Sequence, residues 1–408
     1  MNTILESKKF FFFVNSSYYL IQLSTFFYIT SLAVPEDIGI SSYVISLAGI
    51  FAVIARYGMP VYLVESIDSN NLALKSKLQE NISFSITFSL ILIPIILFFV
   101  NFLEIAKSLH LLIYIGGISM VLINPLSMIL EQFFILNKKL KYLSLNAIIK
   151  ALIFPITALI TYLLTKSFAW TLVLANISIL FSTILIFLFF KRSLLLRSIK
   201  PAGLSLFFKT IIKAFPYFIN SLALILIFSI DKIFVGNIFS LSVLGSYDLM
   251  WKIAIVVDFI LIQPINSMFS RDIVDLSQTK IVFISLFIST IAIMIAVIIN
   301  LLEYDFFVSL WNIFFEKYEF NQDILKLSVS FFVLMFAVNQ LRNIMANNKL
   351  RLSLLISSIV IPMPLIIGAT VLQINSLITI PLLLIFGAFL ALIFNLVSLI
   401  FIRECSYE

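Results

Sequence analysis

Apolar runs of membrane-crossing length recur from one end of the chain to the other, and no hydrophilic stretch between them is long enough to fold as a water-soluble domain. A helix needs about 20 apolar residues to cross a hydrocarbon layer of about 30 Å, and the sequence supplies about twelve such runs. Inside that layer every backbone N–H and C=O must find an internal partner, which leaves only helices or a closed barrel. Barrel strands would show as polar and apolar alternation over about ten residues. The runs here are continuous, so the expected fold is an all-α integral membrane protein.

With 62% hydrophobic and 12% charged residues, the chain cannot cover a soluble surface. The single cysteine, Cys405, excludes an internal disulfide, and the single histidine, His110, leaves little scope for a metal cage. No metal and no cofactor are expected. Walker-type phosphate loops and Gly-x-Ser-x-Gly elbows are missing from the sequence, so neither ATP-driven transport nor covalent catalysis is suggested.

Spans are expected near 10–34, 38–64, 82–103, 109–136, 143–165, 168–190, 214–235, 243–269, 281–302, 324–346, 350–373 and 377–402. The run from Phe10 to Val34 exceeds a signal-peptide core and reads as a retained first span. The net charge of +7 would suit nucleic acid in a soluble protein, but here it follows the loops. With the N-terminus placed inside, the connections on that side hold a large basic excess, including Lys75, Lys77, Lys138, Lys139, Lys141, Lys191, Arg192, Arg197 and Lys200. The other side has only Lys107, Lys166, Lys317 and Lys326. Both termini are therefore expected in the cytoplasm. The longest external connection, Glu303 to Asp323, is still short. A basic segment, 191–213, is expected at the cytoplasmic interface, dividing a six-helix lobe over 1–190 from a second over 214–408. Two similarly oriented lobes around a central cavity are a common transporter layout.

Ionisable groups at membrane depth are costly and usually face a wet or protein interior. In the eighth span Asp248, Lys252, Asp258, Gln263 and Asn266 share less than half of the helix circumference at about 100° per residue. Leu249, Met250, Ile253 and Ala254 fill the other side, which should face lipid or packing. Asp248 and Lys252, four residues apart, are either a self-neutralising pair or part of a site. Asp258 needs a cation from another helix or a proton. Weaker stripes comprise Asn15, Tyr18, Tyr19 and Gln22 in the first span, and Ser42, Ser46 and Arg56 in the second. Asn146, Lys150 and Thr161 align in the fifth, and Lys213, Asn220 and Asp231 in the seventh.

Arg56, Lys150 and Lys252 thus form a candidate cationic set for an anion. Arg56 either binds a phosphate or carboxylate bidentately or serves as a structural partner of Asp258 or Glu131. Lys232 is expected to snorkel to the nearer interface, and Lys150 either snorkels or joins the site. Asn124, Ser127 and Glu131, like Asn339, Arg342 and Asn343, read as interface anchors.

Three segments carry a family resemblance: Pro216-Tyr217-Phe218-Ile219-Asn220, then Asp231-Lys232-Ile233-Phe234-Val235-Gly236, then Val243-Leu244-Gly245-Ser246-Tyr247 followed by Lys252. With Arg56-Tyr57-Gly58-Met59 before Glu65, they resemble polysaccharide-biosynthesis flippases of the O-antigen (Wzx-type) class, within the multidrug/oligosaccharidyl-lipid/polysaccharide exporter superfamily. The resemblance implies alternating access in a bacterial cytoplasmic (inner) membrane. The implied cargo is a lipid-linked oligosaccharide, an undecaprenyl-pyrophosphate repeat unit for O-antigen or capsule. A polysaccharide polymerase and chain-length proteins are the implied partners, and nucleic acid is not one.

On that reading Arg56, Lys150 and Lys252 would hold the pyrophosphate. Asn15, Tyr19, Gln22, Asn220, Asp248 and Gln263 would line the path of the glycan, and Asp231 or Asp258 would couple transport to an ion. The alternative is a cation-coupled drug or small-molecule antiporter of the same superfamily. A membrane glycan polymerase is a lower alternative, since no large external loop is present. Arg56→Ala and Lys252→Ala are expected to reduce export while the protein still folds, and Leu249→Ala to matter less.

Overall fold

The computed structural model describes residues 8–65, 71–101, 107–136, 139–198, 203–257, 278–303, 305–347, 351–371 and 374–405. The described residues are almost entirely helical and contain no strand. The chain forms two compact units, Met1–Ile225 and Leu226–Glu408.

The first unit begins with α1 (Lys8–Leu32), α2 (Pro35–Arg56) and the short α3 (Met59–Glu65). Next come α4 (Asn71–Asn101), α5 (Lys107–Leu136), α6 (Leu140–Thr165) and α7 (Phe168–Ser198). Helix α8 (Leu204–Ile238) runs across the boundary between the units. The second unit continues with α9 (Leu241–Val257), α10 (Gln278–Leu301), α11 (Asp305–Phe314), α12 (Gln322–Asn347), α13 (Arg351–Val360), α14 (Met363–Val371) and α15 (Thr379–Cys405). Among the described residues nine helical segments are by themselves long and apolar enough to cross a membrane. Taken with α1, α9 and the α13–α14 pair, they account for the expected crossings, and the chain is a multi-pass membrane protein.

Local chemistry explains where the helices begin and bend. Pro35 opens α2, where its missing N–H would be unpaired in any case, and Glu36 and Asp37 favour the positive end of the helix dipole. The second run is not one straight helix. Tyr57 caps α2 in a left-handed conformation and Gly58 follows at φ +70°, so a turn separates α2 from α3. The eleventh run is broken as well. Pro362 and Pro364 each remove a backbone donor, so α13 and α14 are separated by a turn at Ile361–Pro362.

Lipid tails are as apolar as leucine, so helices in a bilayer associate through close packing and hydrogen bonds rather than the hydrophobic effect. Helix α2 lies against α5 and α7. At α5 the approach is made possible by Gly116 against Val44 and Ala48, and by Gly117 against Phe51. Polar side chains supply further cross-links. Asn146 of α6 accepts from Ser182 and Thr183 of α7, and Ser89 of α4 donates to the Val121 carbonyl of α5. The second unit is organised around α12, which packs against α9, α10 and α15. The apolar residues left exposed form stripes, such as Leu152, Ile156, Leu159, Ile160 and Leu163 on α6, as a lipid-facing surface requires.

Candidate functional site

Each unit holds its own set of polar side chains at membrane depth. In the first unit Arg56 occupies the last turn of α2, directly before the left-handed Tyr57. Its Nε is enclosed and lacks a hydrogen-bond partner. Among the described residues no carboxylate lies within ion-pair distance of it. Counting along the helices from the contacts of Gly117 with Phe51 and Ile96 places Asn124 of α5 within about 3 Å of the level of Arg56, with Ser127 of α5 and Ser85 and Asn81 of α4 progressively further along, at about 8, 9 and 15 Å from it. Asn81, Ser85 and Ser127 are about 1% exposed, and their side-chain polar atoms, with Asn124 Oδ1, are unpaired. Such groups are normally satisfied by protein, water or ligand. Ser127 is thus inside the bundle rather than at the interface, while Asn124 is half-buried.

Lys150 does not snorkel. Its Nζ pairs with Glu131 at 3.0 Å, joining α6 to α5, so Glu131 is already engaged and Arg56 does not share it. Asn15, Tyr19 and Gln22 lie half-buried along α1, which packs on α6. Asn220 is half-buried in α8.

The second unit holds a tighter set. Asp231 stands eight residues before the turn at Phe239, and Tyr247 stands eight after it. Their equal rise brings the two to one depth, about 12 Å along each helix from the turn. Tyr247 Oη donates to Asp231 Oδ2 at 2.9 Å, and both residues are fully buried. Asp231 Oδ1 has no partner. One helical turn on, Asp248 pairs with Lys252 at 2.6 Å and lies 3.9 Å from Lys232 Nζ.

Lys232 was expected to snorkel outward, but it turns into the protein. It donates to the Phe228 carbonyl at 2.6 Å, and its Nζ stands 5.6 Å from the centroid of the Trp251 ring. Trp251 in turn stacks on Phe331 of α12 at 5.3 Å. Two ammonium groups thus share the Asp248 carboxylate, beside the Tyr247–Asp231 hydrogen bond and the Trp251 ring.

The apolar side of α9 is buried over its middle turns. Leu249, Met250 and Ala254 are as deeply buried as Asp248, because α9 packs against α12. Asp258, Gln263 and Asn266 lie outside the described residues. In the tenth span Arg342 is not an interface anchor: it is 8% exposed and donates to Ser358 of α13 at 2.6 Å. The structure thus brings Asp231, Asp248 and Lys252 together and adds Lys232, Tyr247 and Trp251. Arg56 and Lys150 belong to the other unit. Spacing along the sequence could not have paired Tyr247 with Asp231, because they meet across two helices.

Solved structures share this helical, multi-pass fold. An inward-facing multidrug resistance MATE family transporter of the MOP superfamily superposes with a TM-score of 0.66 at 14% identity, over 96% of this chain and 95% of that one. The lipid II flippase MurJ, in an inward closed conformation, gives 0.60 at 14% identity, over 95% and 86%. A MATE in complex with MaD5 gives 0.56 at 13%, over 98% and 96%. No curated protein matches the sequence. The model of the family described as "polysaccharide biosynthesis protein" matches residues 9–269, and the chain belongs to that family.

Proposed function

We propose that this protein is a flippase that moves a lipid-linked oligosaccharide, an undecaprenyl-pyrophosphate repeat unit, from the cytoplasmic to the outer leaflet of a bacterial cytoplasmic membrane by alternating access. Membership of a polysaccharide-biosynthesis family supports the class of cargo. The observation that carries the reading is Arg56, a guanidinium at membrane depth with an unpaired Nε and no carboxylate within reach among the described residues. A cation held at membrane depth without a counterion is expensive, and a pyrophosphate supplies that counterion together with acceptors for the planar donor fork. The glycan would be met by Asn15, Tyr19, Gln22 and Asn220, while the hydrocarbon tail stays in the bilayer.

Lys150 and Lys252 have carboxylate partners, so their contribution to cargo would require exchange of those partners. Asp231, with one oxygen unserved, is the candidate for ion coupling. The same oxygen is the specific feature that favours the second reading, a cation-coupled drug or small-molecule antiporter.

Deletion of the gene, with assay of surface polysaccharide and of inner-leaflet lipid-linked repeat units, separates these readings. Loss of surface glycan with accumulation of the intermediate, restored by wild type and not by well-expressed Arg56→Ala, is the expected result. Unpolymerised units reaching the outer leaflet would point to a polymerase. Unchanged glycan with increased drug sensitivity would point to the antiporter.

A further inference from the structure

We infer that α11, between α10 and α12, is an interfacial helix whose exposed apolar side is seated in the acyl and headgroup boundary of the outer leaflet. At ten residues and about 15 Å it is too short to cross a bilayer. It connects two helices that are long and apolar enough to do so.

Its surface divides three ways at about 100° per residue. Asp305, Ser309 and Asn312 share one narrow, exposed polar strip of roughly 60°. On one flank, Trp311 is 3% exposed. It is pinned by donation from Nε1 to the Tyr318 carbonyl at 2.8 Å and packs on Phe315 and Phe320. That flank belongs to the protein, and the Glu319 backbone N–H donating to Ser246 Oγ at 3.2 Å ties the loop to α9. The remaining arc carries Ile313, 71% exposed, and Phe314, 58% exposed.

A helix with one side toward water, one toward protein and a third apolar side uncovered is suited to an interface, where lipid supplies the third environment. The helix starts three residues after Leu302, and just before it, at the end of α10, Ile298, Leu301 and Leu302 are 49%, 78% and 52% exposed. The occupant is therefore lipid, already required by the exposed face of α10. The side of the membrane follows from the basic excess in the connections on the opposite face. The inference is independent of the cargo.

The test uses the full-length protein with Cys405→Ser and single cysteines introduced by Asn312→Cys, Ile313→Cys or Phe314→Cys. Each variant is labelled with nitrobenzoxadiazole and reconstituted in phosphatidylethanolamine/phosphatidylglycerol liposomes containing a phosphatidylcholine with a nitroxide on its acyl chain. Labels at 313 and 314 should emit to the blue of the label at 312 and be quenched by the nitroxide lipid, whereas the label at 312 should be quenched by aqueous iodide. Equal iodide quenching at 312 and 314 would overturn the inference. So would a label at 314 that answers to neither quencher, or one whose emission moves to the red when the protein is diluted in lipid, which would mean a protein partner or a second copy. In intact cells Asn312→Cys should react with a membrane-impermeant maleimide. Absence of that reaction would overturn the assignment to the outer leaflet.

Discussion

Asp248→Asn removes the charge that two lysines share and leaves the volume of the side chain almost unchanged. Asp248 is fully buried, Lys252 pairs with it at 2.6 Å, and Lys232 stands at 3.9 Å. Breaking a buried pair by neutralising one partner costs about 3–5 kcal/mol, because the other charge is left uncompensated. Here two ammonium groups lose the same counterion, so the loss should lie toward the upper end of that range. Lys252→Met alone should cost less, since Asp248 retains Lys232. The double variant Asp248→Asn/Lys252→Met leaves only Lys232, still held by the Phe228 carbonyl and Trp251. It should therefore be more stable than Asp248→Asn, with a coupling energy of about 2 kcal/mol or more, well above the roughly 0.5 kcal/mol within which independent sites add. The cycle is read from thermal unfolding in detergent at constant composition. Additive effects would refute the shared-counterion argument. The same geometry alters the expectation for Lys252→Ala: reduced export by that variant would reflect altered packing as well as altered cargo contact, so Arg56 gives the cleaner test of the cationic site.

Gly58→Ala should destabilise the first unit by more than the roughly 1–2 kcal/mol that a left-handed backbone costs a non-glycine residue. The new Cβ would also stand 2.6 Å from backbone atoms of Tyr217 and Phe218. Gly203→Ala, where nothing lies within 4 Å, should change the apparent melting temperature little and serves as the control. Gly387→Ala would place a Cβ against the Ile361 carbonyl oxygen at the α13–α14 break, so protein that expresses and melts like wild type would disprove that close approach. Leu249→Ala, expected from the sequence to be mild, should cost about 2–5 kcal/mol because the side chain is fully buried. An unchanged unfolding temperature would show that its surroundings collapse without loss.

The sequence alone determined that this chain is a helical membrane protein and roughly where its helices lie, because the bilayer imposes one length and one kind of backbone solution on every crossing. It determined that Asp248 and Lys252 share a face, since four residues on a helix fix that relation regardless of neighbours. It also carried the family resemblance, through short segments around Arg56 and from Pro216 to Lys252. What each polar group does was decided by tertiary structure. A stripe of polar residues looks the same in sequence whether it faces a cavity or another helix. Only packing showed that Asn146 is used up on Ser182 and Thr183, that Lys150 belongs to Glu131, and that Lys232 turns inward to Trp251. Asp248 on one side of α9 and Leu249, Met250 and Ala254 on the other differ in polarity yet are all buried, because α12 covers residues that periodicity alone would assign to lipid. Periodicity records which residues point the same way, whereas their surroundings depend on helices far away in sequence.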